Sequence, residues 1–175
     1  GNYDALANVY LCRKIMERIG LNPERLRIEF MSSGDGNLLA EGIDDFVATV
    51  KRIGPLGEAE GIDERELSLR LEAVQKLVPY IKLVERQRLR VPEKSAEAYH
   101  DFFTGDAFNA LFDALIADRI TASRLVRLLA EKPLSSGEIA AILGLTPSEV
   151  SEQMRRSTRD GFVRYDIDRK CYTVG

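Results

Sequence analysis

Between Thr121 and Gly161 the residues that start and stop helices fall in an order that leaves few folds open. Thr121 is of the N-cap type and precedes Leu125, Leu128 and Leu129, whose spacing gives one buried helix face, and Pro133 stops continuation. Ser135 with Glu138 forms a capping box ahead of Ile139, Ile142 and Leu143, and Gly144 supplies a tight turn. Thr146-Pro147-Ser148-Glu149 starts another helix with a cap, a proline at its first position and a carboxylate at its third. That helix buries Val150 and Met154 and ends near Gly161. Phe162 to Ile167 then alternates as a strand, Asp168-Arg169-Lys170 turns, and Cys171 to Val174 returns.

A short helix, a glycine turn, a second helix and a hairpin in that order predict a winged helix-turn-helix over 119–175. Three capping patterns, one turn and one hairpin agree, where each alone would be a weak signal.

Upstream, a helix from about Tyr3 to Ile19 places Ala5, Val9, Cys12, Met16 and Ile19 on one stripe, so Cys12 is expected on a buried face, and Gly20 ends it. Arg25-Leu26-Arg27-Ile28-Glu29-Phe30 alternates as a half-buried strand. A turn over Ser32-Ser33-Gly34-Asp35-Gly36 leads into an amphipathic helix with Leu39, Ile43, Phe46, Val50 and Ile53, closed by Gly54-Pro55. One strand cannot make a sheet, so its partners are expected from sequence before Gly1, and 1–56 reads as part of an α/β domain.

The middle, 57–118, reads as helical. Asp63 with Glu66 caps a long helix carrying Leu67, Leu71, Val74, Val78 and Ile81 to about Glu85. Val91-Pro92 marks a break, Tyr99, Phe102 and Phe103 lie on a short helix, and Asp106 caps one with Phe108, Leu111, Phe112 and Leu115. The expected class is therefore α+β and mostly helical: a partial helix-strand-helix unit, a helical middle region and a C-terminal winged helix-turn-helix.

Charge separates the two ends. From Arg119 to Gly175 there are ten Lys and Arg against seven Asp and Glu, net +3, and a whole-chain net charge of −3 leaves −6 for the rest. A mildly basic segment permits nucleic-acid binding without demanding it. Cys12 and Cys171 have no Cys or His nearby at metal-ligand spacing and read as free thiols of a reducing cytosol. With no apolar run of membrane-spanning length and no signal-peptide pattern, a soluble cytoplasmic protein is expected.

Four sets of residues invite a functional reading. The helix Thr146 to Asp160 turns Ser148, Ser151, Arg155, Arg156 and Arg159 outward with Glu149 and Glu152, and Arg164 lies on the wing. In a DNA reading the arginines contact phosphates and the serines reach base edges or phosphates. Against it, Glu149 and Glu152 occupy the turns that would meet the most negative surface. The plainer reading is a solvated face with local Glu pairs, used for protein contact.

The turn of Ser32, Ser33, Gly34 and Gly36 offers backbone N–H groups to an anion, but no Lys follows as in a phosphate loop, so an ordinary capped turn is the plainer reading. His100, the single histidine, reads as a partly buried structural residue. No nucleophile–base pattern or carboxylate pair gives these residues a catalytic site.

Gly1-Asn2-Tyr3-Asp4-Ala5, then Gly20-Leu21-Asn22-Pro23-Glu24-Arg25-Leu26-Arg27-Ile28-Glu29-Phe30, then Gly36 resemble one family. That family is the delta subunit of methyl-viologen-reducing hydrogenase, and Gly1 to about Pro55 resembles its end. Phe30 stands where the family commonly has Trp, and Asn8 lies in a region usually rich in Arg. The resemblance implies a small electron-transfer protein with a two-iron two-sulfur cluster. Such a protein links a hydrogenase or similar dehydrogenase to a heterodisulfide-reductase-type flavoprotein.

In that family the cluster cysteines lie upstream of the matched segment, so no cofactor is expected on these residues, and Cys12 matches no ligating position. Two readings of the winged helix follow, a module docking the protein on its redox partners or a redox-linked DNA-binding regulator. Homodimerisation through the long helix is a third.

Overall fold

A computed structural model describes residues 1–175 apart from Ser33 and Asp35. It divides into two compact units, 1–68 with 85–112, and 69–84 with 113–175. The chain forms α1 (Asn2–Arg18), α2 (Gly36–Ile53), α3 (Glu64–Arg88), α4 (Ala96–Thr104), α5 (Asp106–Phe112), α6 (Asp118–Glu131), α7 (Ser136–Leu143), α8 (Pro147–Arg159), β1 (Val163–Asp166) and β2 (Cys171–Val174). The class is mostly helical with one small antiparallel sheet, as expected. Among the described residues no helix is long and apolar enough to cross a membrane.

In the first unit α1 packs against α4. The face it buries is Leu6, Ala7, Leu11, Ile15 and Ile19, which shares only Ile19 with the expected stripe, and Cys12 is exposed. Both stripes have helical spacing, and the aromatic residues of α4 select between them. Tyr3 lies 5.3 Å from Tyr99 and Tyr10 stacks on Phe103 at 5.4 Å. The ring chain continues from Phe103 to Phe108 and Phe112, both 1% exposed.

After α1, Asn22 caps a single 3-10 turn, Pro23–Arg25, where the alternation predicts the start of a strand. From Leu26 the chain is extended, with Leu26 and Ile28 half-buried and Arg27 and Glu29 exposed. It joins no sheet among the described residues, where β1 and β2 form the one sheet. The alternation therefore describes an extended segment without a partner strand.

The second unit is built on an apolar core of Leu125, Leu128, Leu129, Leu134, Ile139, Val150, Met154 and Val163, with Leu69 of α3 packed against it. Both capping boxes form. Ser135 N–H donates to Glu138 at 2.8 Å, and Thr146 N–H donates to Glu149 at 2.7 Å. Between the two helices Gly144 turns at φ 65°, a left-handed conformation that a Cβ would strain. β1 pairs with β2 from Val163↔Val174 to Asp166↔Cys171, and Leu134 exchanges backbone hydrogen bonds with Tyr172 as a single antiparallel bridge.

Two local expectations change. Thr121 does not cap α6, because a π-helical turn, Asp113–Ala117, carries the chain from α5 into α6 without a break, and the Thr121 hydroxyl donates back to the Ala117 carbonyl at 3.1 Å. In α3 the buried side chains are Ala73, Ile81 and Val84, while Leu71 and Val78 of the expected stripe are exposed. α3 also runs through Pro79, a residue that removes one helical hydrogen bond.

Candidate functional site

The outward face of α8 follows from its cap and from the burial of Val150, Gln153, Met154 and Ser157 on the opposite side. Ser148, Ser151, Arg155, Arg156 and Arg159 are all exposed, as is Arg164 on β1. Most of these groups are already engaged. Glu152 pairs with Arg155 and, at 2.7 Å, with Arg156, which also pairs with Asp118 of α6. Arg159 Nε donates to Asp160 at 3.3 Å, Arg164 Nε donates to the Thr173 hydroxyl at 3.1 Å, and the Ser151 hydroxyl donates to the Pro147 carbonyl at 2.9 Å.

The hydrogen bond from Arg156, with Arg155 beside it, holds the Glu152 carboxyl below the usual carboxylate range. The same bond, reinforced by Asp118, raises the Arg156 guanidinium. Arg156, bound by two carboxylates on an exposed face, meets a new anion only in competition with, or in addition to, those ion pairs. Asp118, 38 residues away, is the partner that spacing along α8 could not show.

In the first unit the anion-turn residues Ser32, Gly34 and Gly36 are exposed, whereas Ser33 lies outside the described residues. His100 is exposed rather than partly buried, with its Nδ1 3.1 Å from the Tyr10 hydroxyl.

A buried ionic clasp at the foot of α2 has no signal in the local sequence. Arg25 and Glu60, with side chains 10% and 9% exposed, meet through Nε at 2.7 Å and through a second nitrogen at 3.2 Å. Arg25 also donates to the carbonyls of Gly54 and Pro55, at 2.8 and 3.1 Å, while Glu60 accepts from the backbone N–H groups of Asn22 and Gly57. Arg25 holds the Glu60 carboxyl below its ordinary range. The clasp, with Arg52–Glu24 and Arg27–Asp45, fixes α2 by polar contacts.

The apolar face of α2 is partly covered, with Phe46, Val50 and Ile53 half-buried. Leu38, Leu39, Ile43 and Val47 are 42–55% exposed and the helix buries no residue.

A two-iron cluster needs four ligands, mostly thiolates. Among the described residues no group of three or more His, Cys, Asp and Glu is placed to hold a metal. Cys12 is exposed, with its thiol raised by partial burial and by Glu85, and Cys171 is a buried residue of β2. These residues do not fit a cluster.

Comparison with known proteins divides the chain along similar lines. The family described as methyl-viologen-reducing hydrogenase, delta subunit, matches residues 1–54, and the bacterial regulatory protein, arsR family, matches residues 121–165. The iron-sulfur subunit of the F420-non-reducing hydrogenase of Archaeoglobus profundus is 40% identical over 55 residues, 31% of this chain and 40% of that protein. The vhu iron-sulfur subunit of the F420-non-reducing hydrogenase of Methanopyrus kandleri is 32% identical over 56 residues, 32% of this chain and 42% of that protein. A subunit of the ferredoxin/F(420)H(2)-dependent CoB-CoM heterodisulfide reductase of Methanosarcina acetivorans is 35% identical over 57 residues, 33% of this chain but 7% of that protein.

The chain thus spans at most about two-fifths of the length of these relatives. No solved structure matches it. One polypeptide therefore joins a segment similar to hydrogenase delta subunits to a segment similar to arsR-type regulatory proteins.

Proposed function

We propose that the chain is part of an electron-transfer iron-sulfur subunit that links a hydrogenase or dehydrogenase to a heterodisulfide-reductase-type flavoprotein, with the winged helix as its protein-docking module. The observation that carries this reading is the match of residues 1–54 to a delta-subunit family whose segment also occurs in a heterodisulfide reductase. That the same segment is similar both to a small iron-sulfur subunit and to part of a larger reductase supports a place in such a redox assembly. In this reading the two-iron two-sulfur cluster is held by cysteines other than Cys12 and Cys171, and these residues supply contact surfaces. The exposed apolar residues of α2 and the ion-paired face of α8, with Ser148, Ser151, Arg155, Arg156, Arg159 and Arg164, supply two of them.

Affinity recovery of the protein from its native cells tests the docking role. Partner flavoprotein and hydrogenase subunits are expected with the unaltered protein, and Arg155→Glu with Arg159→Glu is expected to reduce their recovery severalfold, as rim charges tune association. Unchanged recovery with that variant would exclude docking through α8.

The arsR-family match favours a second reading, a redox-linked DNA-binding regulator. A mobility shift weakening steeply between about 50 and 200 mM salt would support it, since each phosphate contact adds to the salt slope. Absence of any shift at low salt removes it.

A further inference from the structure

The second unit contains a cleft of about 220 Å³ between α3 and α6 that neither reading uses. Its walls are apolar, with Leu77 from α3, Val126 from α6 and Phe162, which is 49% exposed. Three cations border it, Lys76, Arg119 and Arg127. Arg127 pairs with Glu72, yet its Nε–H is buried without an acceptor. Arg119 lies over the Tyr80 ring, 4.5 Å from its centre. One carboxylate among three cations leaves a local positive excess beside an apolar floor.

We infer that this cleft binds a small monocarboxylate with an apolar body, an aryl or short alkyl carboxylate. Size and charge both enter the choice. A dry cavity of about 150 Å³ accommodates benzene, so a cleft of this volume takes a single ring or a short chain together with its carboxylate. A larger ligand would project into solvent. Arg119 and Lys76 receive the carboxylate at the rim, and Arg127, whose Nε–H has no acceptor, borders the same cleft.

Binding covers Phe162, whose N–H donates to the Ser157 carbonyl at 2.9 Å and whose carbonyl accepts from Gly175 at 3.0 Å. Occupancy is therefore felt at the junction of α8 and the wing. The inference stands apart from the docking and DNA readings, because it depends on the α3–α6 cleft alone.

An NMR titration of the full chain with benzoate, and with benzyl alcohol as the uncharged match, tests it. Saturable shifts confined to the Ala122 and Val126 methyls and the Phe162 amide are expected, with benzyl alcohol about tenfold weaker for want of the charge-assisted bonds. Lys76→Gln with Arg119→Gln, both exposed and so compatible with folding, is expected to weaken benzoate by about tenfold.

Ala122→Leu fills the cleft and is expected to abolish saturation while the β1 and β2 amides keep their positions. Should that variant misfold, the Lys76/Arg119 variant decides. Lack of saturation by ~10 mM benzoate, well above the ~1 mM dissociation constant reasonable for so small a ligand, overturns the inference. Equal binding of the alcohol, or shifts scattered over surface arginines, does the same.

Discussion

The winged helix and α2 are both amphipathic structures, but they are stabilised in opposite ways. In the winged helix Leu125 and Ile139 are fully buried and Leu134 is 1% exposed, so an apolar core closes the fold. In α2 the apolar row faces outward, with Ile43 at 53% exposure, and polar contacts fix the helix: the Arg25–Glu60 clasp, Arg52–Glu24 and Arg27–Asp45. Amphipathicity shows that a helix has a face to cover but leaves open what covers it. On α2 the charged side is engaged, while Leu38, Leu39, Ile43 and Val47 of the apolar side remain exposed.

Substitutions separate the two modes of stabilisation. The largest effect is expected at the clasp, where Arg25→Ala leaves Glu60 buried without its cation and costs about 3–5 kcal/mol, read as loss of amide-exchange protection in α2. Because Arg25 lowers the folded-state carboxyl, Glu60 contributes stability that is fully present above the ordinary glutamate value of ~4.3. That contribution is lost as pH falls through the depressed folded value, so acid should release α2, and in Glu60→Gln this part of the acid sensitivity should vanish.

Next comes Leu125→Ala, expected to cost about 2–5 kcal/mol in denaturant unfolding of the second unit. Gly144→Ala follows at about 1–2 kcal/mol, through left-handed backbone strain rather than lost contacts. Ile43→Ser should change stability by less than about 0.5 kcal/mol in the isolated chain. A large loss there would show that the face of α2 is already covered, and the contrast between the two regions would fail.

The same contrast explains what was legible in the sequence. Capping acts over three or four residues, so Ser135 with Glu138 and Thr146 with Glu149 can be recognised without any knowledge of packing, and Gly144 marks its own turn. The buried faces of α1 and α3 cannot be read so directly. α1 offers two apolar phases, and Tyr99 and Phe103 of α4 decide between them, nearly a hundred residues later in the chain.

Arg25 and Glu60 are 35 residues apart, and nothing in either neighbourhood marks them as a pair. On α8 the pairing of Glu152 with Arg155 and Arg156 is visible as three- and four-residue spacing, whereas the bond to Asp118 is not. The segment after Leu26 alternates in burial only as far as Glu29, Phe30 being exposed, and it joins no sheet among the described residues.

The participation of α3 in the second unit bears on how such a domain can be inherited. The winged-helix core receives Leu69, the Ser123 hydroxyl donates to the Ala73 carbonyl at 3.0 Å across 50 positions of sequence, and Arg127 pairs with Glu72. The packing of the second unit therefore extends beyond the helix-turn-helix and its wing. A recombination joint placed just before α6 would transfer a fold already missing part of its packing, whereas one placed ahead of α3 would transfer a fold that keeps those contacts.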